Sequence, residues 1–217
     1  MQPSTYPKIN ISDINQDKPL IVCDADEVIF DFMNSFERYL NSINLYFNWA
    51  SYALEGNILN DKKKAIDKNH INEIINNFFK TNTVDMKLVK GAKQSLNKLS
   101  KYFNIIILSN IPFKFYEKRK SALNKHNLNF PFYANKGPKG KTIKYIAKIF
   151  KKDIWFIDDS PYQIKSVKIE EKRINTILFV GNSKLEALIK KKNISDYFSN
   201  AWKDNLKTIL NLRNNYE

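Results

Sequence analysis

The chain is organised around the stretch Leu20–Phe32, LIVCDADEVIFDF, in which four apolar residues lead into two acids. The apolar run predicts a short strand over about residues 20–24, buried on both faces as in a parallel sheet. Asp24 and Asp26 follow at its carboxyl end, and the apolar segment Val28–Phe30 comes directly behind them. Open parallel sheets bind ligands at the carboxyl ends of their strands. Taken alone, the stretch predicts either a polar turn or a functional site at this edge.

The composition is that of a globular protein without disulfides. A length of 217 residues suits one large domain or a core with a smaller insertion, and the 43% hydrophobic content can build a sizeable core. The only cysteine, Cys23, lies in the first predicted strand, where we expect a buried core residue in a reducing compartment. Because neither a secretory segment nor a run of about 18 apolar residues is found, we expect a cytoplasmic protein without a membrane span.

The net charge of +14 arises from 36 Lys and Arg against 22 Asp and Glu. Such a charge is typical of nucleic-acid binding, but it also occurs on the surfaces of lysine-rich proteins. The lysines are dispersed, and no arginine-rich run or RNA-recognition signature is present. We therefore expect a small phosphorylated substrate rather than nucleic acid as the partner; the oligomeric state stays open.

Beyond residue 88 the sequence alternates between predicted helices and strands. Further strands are predicted at Phe103–Leu108, Phe130–Ala134, Ile154–Ile157 and Thr176–Val180. Helices are predicted at Ala92–Leu99, Phe115–Lys125, Thr142–Phe150, Ser183–Lys191 and Trp202–Leu212. This alternation predicts an α/β fold, a Rossmann-like parallel sheet flanked by helices. Right-handed crossovers bring the carboxyl ends of all strands to one edge.

The inserted segment, residues 32–88, has a different period. Apolar residues recur at three- and four-residue spacing in two stripes, Phe32 to Ile43 and Ile71 to Phe79, which predicts two helices. Asp31 is placed to cap the first of them. The predicted organisation is a leader over 1–18, an α/β core formed by 19–31 and 89–217, and a small α-helical insertion over 32–88.

Polar residues follow several predicted strands and are expected to meet at the common edge: Asp24, Asp26, Ser109, Asp158 and Asp159, with Lys139 or Lys141. Two carboxylates about 4 Å apart repel by roughly 4 kcal/mol at an effective dielectric constant of 20. We therefore expect a hard cation among them. Oxygen ligands without a histidine cluster favour Mg²⁺ over zinc.

These residues form four ordered motifs that resemble those of the haloacid dehalogenase-like hydrolases, most of which are phosphatases. The motifs are Asp24-Ala25-Asp26, Ser109, a lysine in GPKGK (residues 137–141), and Asp158-Asp159. The resemblance spans Leu20 to Val180 and implies a helical cap inserted after the first motif. Its Gly-Pro-Lys setting favours Lys139 over Lys141. The chain departs from the family at Glu27-Val28, where Gly-Thr is usual.

The resemblance also implies a role for each matching residue. Asp24 would be the nucleophile that forms an aspartyl-phosphate, and Asp26 the general acid and base. Mg²⁺ would be held by Asp24, the Asp26 carbonyl and Asp158, with Asp159 further out. The phosphoryl oxygens would be bound by Ser109, Lys139 and the amide of Asn110.

The function implied is a Mg²⁺-dependent phosphatase acting on a small phosphorylated metabolite. Phosphonatase or phosphomutase chemistry on the same fold stays open, whereas a dehalogenase is disfavoured because that branch lacks the second acid, here Asp26. A non-catalytic basic module that binds nucleic acid or protein is the alternative from another class. Such a module would have no need for four mutually repelling acids.

Overall fold

A computed structural model of the chain describes residues 14–190 and 193–213. Its strands are β1 (Leu20–Cys23), β2 (Tyr46–Phe47), β3 (Ile58–Leu59), β4 (Asn104–Ser109), β5 (Phe132–Ala134), β6 (Ile154–Asp158), β7 (Asn175–Phe179) and β8 (Tyr197–Ser199). Its helices are α1 (Phe32–Ser42), α2 (Lys68–Asn82), α3 (Ala92–Leu99), α4 (Tyr116–Lys125), α5 (Gly140–Ile149), α6 (Pro161–Glu170), α7 (Ser183–Ala187) and α8 (Trp202–Arg213), and a short 3₁₀ turn, Phe113–Phe115, precedes α4.

Six strands form one parallel sheet in the order β5-β4-β1-β6-β7-β8. The central strand β1 pairs with β4 on one side and β6 on the other, and its four side chains are fully buried. A strand that is covered on both faces needs apolar residues at every position, which explains the unbroken LIVC. The predicted Rossmann-like α/β fold is therefore confirmed.

Each face of the sheet packs against its own set of helices, because side chains alternate along a strand. In β1, Ile21 and Cys23 belong to the core cluster that includes residues of α3, α4 and α8, while Leu20 and Val22 belong to the cluster that includes residues of α5 and α6. Right-handed connections of this kind place all strand carboxyl ends on one side. That side carries the acids of the sequence motifs.

The inserted segment contains α1 and α2, as predicted, and in addition the antiparallel pair β2–β3, which the sequence analysis did not predict. Each strand of this pair is only two residues long, too short for a period-two pattern to be visible. The aromatic rings of Phe32, Phe36 and Phe78 join the two helices, with Phe36 and Phe78 5.1 Å apart. These side chains extend the core cluster on the α3 face of the sheet.

The two connections to the inserted segment run side by side. The amide of Asp31 donates to the carbonyl of Lys87, and the amide of Val89 donates to the carbonyl of Ile29, each at 2.8 Å. Both backbone hydrogen bonds lie at the predicted junctions near residues 31 and 88. A paired connection of this kind ties the inserted segment to the core at one place.

The predicted leader falls largely outside the described residues, since the structure describes the chain from residue 14 onward. The part that is described packs against the core: Ile14 is buried, and the Asn104 side chain donates to the carbonyls of Asn15 and Lys18. None of the described helices is long and apolar enough to span a membrane.

Candidate active site

Asp24 leaves the carboxyl end of β1 and meets Lys139 and Asp158 in the protein interior. The Lys139 ammonium contacts a carboxylate oxygen of Asp24 and lies 2.7 Å from an oxygen of Asp158. All three side chains are buried. Because β1 and β6 pair directly, with Cys23 opposite Ile157, the acid that follows β1 lies beside the acid that ends β6.

Lys139 reaches this position because the loop before α5 is fixed by side-chain amides. The amide of Lys139 donates to the side-chain oxygen of Gln163 at 2.8 Å, and the Gln163 and Asn135 side chains both donate to the carbonyl of Gly137. The helix then starts at Gly140, where a Cβ atom would come within 2.1 Å of the Ser166 carbonyl oxygen. A glycine is required at this close approach between α5 and α6.

Asp24, Asp158 and Asp159 form the carboxylate cluster, in which each residue offers an oxygen within 4.8 Å of the others. Burial raises the pKa of Asp158 to about 7; Asp24 adds to this effect, and Lys139 opposes it. Burial and the neighbouring Asp158 and Asp24 carboxylates also raise the pKa of Asp159. One ammonium therefore does not compensate three carboxylates, and the cluster favours a further cation.

Lys139 itself stays protonated. Burial alone would lower its pKa, but the Asp158 and Asp24 carboxylates outweigh that effect and raise it. The ammonium thus provides a permanent positive charge at the end of β1. Lys141, the alternative in the same motif, is exposed on α5. The structure brings Lys139 and not Lys141 to Asp24.

Asp26 is not one of the three clustered carboxylates and contacts a different cation, Arg119. One of its carboxylate oxygens accepts a hydrogen bond from Nη2 of Arg119, and the other lies 3.5 Å from the Ser109 hydroxyl, which donates to it. Burial raises the pKa of Asp26, while Arg119 lowers it. Ser109 ends β4, the strand next to β1, and is fully buried. Asp26 and Ser109 therefore lie together at the carboxyl edge of the sheet, where the strand order predicted them to meet.

Asn110 follows Ser109 and braces the lysine loop with its side chain. Its amide donates to the carbonyl of Gly137 at 2.9 Å, and its oxygen accepts from Asn135 at 2.8 Å. Thr142 donates to the Asn135 oxygen at 2.9 Å. This network links the end of β4 to the loop that carries Lys139, so the second and third motifs are held as one unit.

The chain departs from the family pattern at Glu27, where glycine is usual. The Glu27 φ of 60° lies in the left-handed region that favours glycine. Its buried carboxylate accepts a hydrogen bond from the amide of Met33, in the first turn of α1. The predicted cap residue, Asp31, makes no side-chain bond to the helix backbone and instead accepts from the Asn34 side chain. The capping prediction was therefore wrong, and Glu27 fills that role.

The inserted segment reaches over the carboxylate cluster through Tyr52. The Tyr52 hydroxyl donates to the carbonyl of Asp159 at 3.2 Å. Burial raises the pKa of this tyrosine, and the Asp159, Glu27 and Asp158 carboxylates add to the effect. The phenol thus lies close to the acids of the first and fourth motifs.

Arg119, Asn135, Gln163 and Tyr52 were not predicted as site residues. Arg119 had a signal in the sequence, because Phe115, Ala122 and Leu123 lie at helical spacing from it and are buried. A basic residue on the apolar face of a helix is unusual unless it is paired. The other three residues lie in loops or at helix starts and have no such pattern.

Comparison with solved structures identifies the fold, whereas no family model matches the chain and no curated protein matches its sequence. A structure from Haemophilus somnus described as a predicted phosphoglycolate phosphatase has a TM-score of 0.61 at 15% identity, covering 90% of this chain and 99% of that one. The protein YfnB from Bacillus subtilis, whose structure is described as that of a HAD-hydrolase bound to magnesium, has a TM-score of 0.56 at 15% identity, covering 89% of this chain and 99% of that one.

L-2-haloacid dehalogenase from Xanthobacter autotrophicus also shares the fold, with a TM-score of 0.56 at 11% identity, covering 88% of this chain and 97% of that one. The chain therefore has the fold of the haloacid dehalogenase-like hydrolases over nearly its whole length. This confirms the fold that the four sequence motifs implied.

Proposed function

We propose that the protein is a Mg²⁺-dependent phosphomonoester hydrolase that acts on a small phosphorylated metabolite through an aspartyl-phosphate. The observation that carries the proposal is the buried Lys139 ammonium between Asp24 and Asp158 at the carboxyl edge of a sheet with this fold. A nucleophilic carboxylate needs a cationic partner when it attacks a dianionic phosphate. Asp26 and Ser109 beside them supply the remaining groups for the reaction.

The carboxylate cluster fits a magnesium ion. It offers only oxygen ligands, from Asp24, Asp158 and Asp159, and Mg²⁺ is usually held by one or two carboxylates plus waters and a substrate phosphate. When bound, the ion would neutralise charge between the nucleophile and the phosphoryl group. The Asp26 side chain lies outside this cluster, which is compatible with its contributing only a backbone carbonyl.

In the first step, a carboxylate oxygen of Asp24 attacks phosphorus while the bond to the leaving oxygen breaks. Lys139 offsets the negative charge of the transferring group, and the Ser109 hydroxyl together with the backbone amide of Asn110 hydrogen-bonds its oxygens. Because Lys139 and Ser109 are buried, their interactions with the phosphoryl group are screened less by water than those of exposed groups.

Asp26 is the proposed general acid and general base. Its carboxylic acid would protonate the leaving oxygen, and its carboxylate would then take a proton from the water that hydrolyses the aspartyl-phosphate. The raised pKa of Asp26 favours the protonated form that this first transfer requires. Its position beside Ser109 puts it next to the proposed phosphate site.

The inserted segment is proposed to act as the cap that selects the substrate and excludes water. Support comes from its paired connections to the core and from Tyr52, which reaches the Asp159 carbonyl. Aromatic and lysine side chains on this segment would contact the part of the substrate beyond the phosphate. The rest of the metabolite is therefore expected to be recognised from this side.

The test is turnover of a phosphomonoester panel, including p-nitrophenyl phosphate, by the purified protein with Mg²⁺ and with EDTA. We expect phosphate release that needs Mg²⁺ and that falls by about 10³-fold or more in Asp24→Asn, which removes the nucleophile. The matched control is Asp153→Asn, the same substitution at the exposed opposite end of β6. This variant is expected to keep wild-type turnover, since Asp153 lies far along the strand from Asp158.

The same panel should include 2-haloacids, because a haloacid dehalogenase shares this fold. Halide release without phosphate release would overturn the proposal. Salt-dependent binding to nucleic acid that Asp24→Asn leaves unchanged, without turnover of any substrate, would instead favour the non-catalytic alternative.

A further inference from the structure

Arg119 is a buried arginine at the proposed reaction site that none of the sequence motifs includes. It lies in the middle of α4 with no exposed side-chain surface, and its Nη2 donates to Asp26. The neighbouring cation, Lys139, contacts Asp24 and Asp158. The two acids of the first motif therefore have separate buried cations.

Of the three guanidinium nitrogens of Arg119, only Nη2 has a hydrogen-bond partner among the described residues, the Asp26 carboxylate. The central carbon of the guanidinium lies 4.6 Å from the centre of the Phe30 ring, and both Nε and Nη1 are buried without a hydrogen-bond partner. Burying donors without partners costs free energy, and an apolar side chain of similar volume would often be as stable at such a position. Packing and stability therefore do not account for an arginine here.

We propose that Arg119 is a positioning residue that holds the Asp26 carboxyl group in the orientation needed for proton transfer to the leaving oxygen. One oxygen of this carboxyl accepts a hydrogen bond from Arg119 and the other from the Ser109 hydroxyl, so the Arg119 contact fixes the carboxyl beside Ser109. The Phe30 ring below the guanidinium carbon gives the arginine a second contact besides Asp26. The inference rests on the proposed phosphatase function and adds to it a residue that acts through Asp26.

The proton balance of the two steps explains why a fixed cation is useful. As the Asp24–phosphorus bond forms and the phosphorus–leaving-oxygen bond breaks, Asp26 gives its proton to that oxygen and becomes a carboxylate paired with Arg119. In the second step, water attacks phosphorus and releases Asp24, and Asp26 takes the proton back. Arg119 thus stabilises the charged form of Asp26 between the two steps.

The test uses substrates of equal size whose leaving groups differ in their need for a proton. A series of para-substituted aryl phosphates, from p-nitrophenyl to p-methoxyphenyl phosphate, is measured with wild type, Arg119→Lys and Arg119→Met. In the Arg119 variants we expect kcat/KM for p-nitrophenyl phosphate to fall by less than about fivefold. For p-methoxyphenyl phosphate we expect a fall of about 10²-fold, the lower range of general acid catalysis. The matched control, Lys118→Met, removes a charge from the exposed face of the same helix and should change neither.

Two measurements keep the test decisive if Arg119→Met unfolds. Arg119→Lys retains the charge without the planar fork, and its melting temperature reports folding. In an Asp26→Asn background, Arg119→Lys should cause no further loss, since its effect passes through Asp26. An equal loss across the series, no loss at all, or losses that add to those of Asp26→Asn would overturn the positioning role. A wild type that turns over no phosphomonoester would instead overturn the proposed function on which the role rests.

Discussion

Lys139 and Lys141 are two residues apart in one motif, yet they lie in opposite environments. Lys139 is 1% exposed between two carboxylates, and Lys141 points to solvent from the first turn of α5. The difference follows from the helix start, because the residue before Gly140 belongs to the loop that Asn135 and Gln163 hold against the sheet edge.

This contrast predicts unequal effects of the same substitution on stability. Lys139→Met leaves the Asp24 and Asp158 carboxylates buried and unpaired, and breaking such a pair costs about 3–5 kcal/mol of unfolding free energy. Lys141→Met should change the unfolding free energy by less than about 0.5 kcal/mol. Urea unfolding in EDTA measures both, and Mg²⁺ should restore part of the loss in Lys139→Met. Equal effects of the two substitutions would contradict the assignment of Lys139 to the site.

At the residue scale, the sequence predicted the residues that end the strands better than the residues from helices and loops that contact them. The residues Asp24, Ser109 and Asp158 could be predicted to meet because each follows a recognisable apolar strand, and parallel strands share one edge. Arg119 comes from a helix separated from the first motif by the inserted segment, so strand order says nothing of it. Glu27 was recognised only as a departure, since its capping bond to Met33 depends on a left-handed backbone turn that residue type alone does not predict.

At the element scale, β8 is the strand of the six-stranded sheet that the sequence analysis missed. It comprises only Tyr197–Ser199, at the edge of the sheet, and pairs with β7. The preceding residue, Asp196, fastens it: one carboxylate oxygen accepts hydrogen bonds from the amide and hydroxyl of Thr176, each at 2.8 Å, and from Lys168 at 2.7 Å. Hydrogen bonds from one polar side chain thus hold β8 in the sheet, whereas runs of buried apolar residues hold the inner strands.

The Asp196 contacts predict a pH-dependent contribution to stability. Burial alone would raise its pKa, but hydrogen bonds from Lys168 and Thr176 outweigh burial and lower it. An acid with a lowered folded-state pKa stabilises the fold above its unfolded value near 4, and the contribution disappears as the pH falls through the folded value. Asp196→Asn should therefore lower the unfolding free energy by about 1 kcal/mol at pH 7, a figure that is already reduced because Asp196 is partly exposed to solvent. At pH 3 the same substitution should lower it by much less.

Urea unfolding at pH 7 and pH 3 checks this, with Asp61→Asn as the control because Asp61 is exposed in the inserted segment. A loss that is the same at both pH values would mean that hydrogen-bond geometry and not charge fastens the strand.

Most of the elements that could be predicted have a pattern long enough to be visible; β5, only three residues long, is an exception. The bounds of α3 were predicted to the residue, and β1, β4, β6 and β7 within one or two residues. The pair β2–β3 and strand β8 are two or three residues long and owe their pairing to neighbours distant in sequence. The helix predicted over Ser183–Lys191 ends at Ala187 in the structure; its last predicted residue lies outside the described ranges.

At the scale of the whole molecule, the inserted segment contacts the core through polar side chains as well as through its paired connections. Glu37 on α1 accepts hydrogen bonds from Lys184 on α7 at 3.1 Å and from the Trp49 indole at 2.7 Å. Tyr52 adds the bond to the Asp159 carbonyl. An exposed ion pair contributes little, about 0–1 kcal/mol, so the half-buried Tyr52 bond is expected to hold the segment over the carboxylate cluster more strongly.

Removing the Tyr52 hydroxyl should therefore loosen this part of the molecule without unfolding it. Tyr52→Phe loses one hydrogen bond of about 1 kcal/mol, which corresponds to a roughly fivefold rise in local opening. Amide hydrogen exchange of residues 48–57 should be faster by that factor, while exchange in β1 and β6 stays unchanged. Tyr46→Phe, in the same segment but with its ring largely exposed, is the matched control and should exchange as wild type does. Equal exchange in all three proteins would mean that aromatic packing, and not the bond to Asp159, keeps the segment closed over the acids.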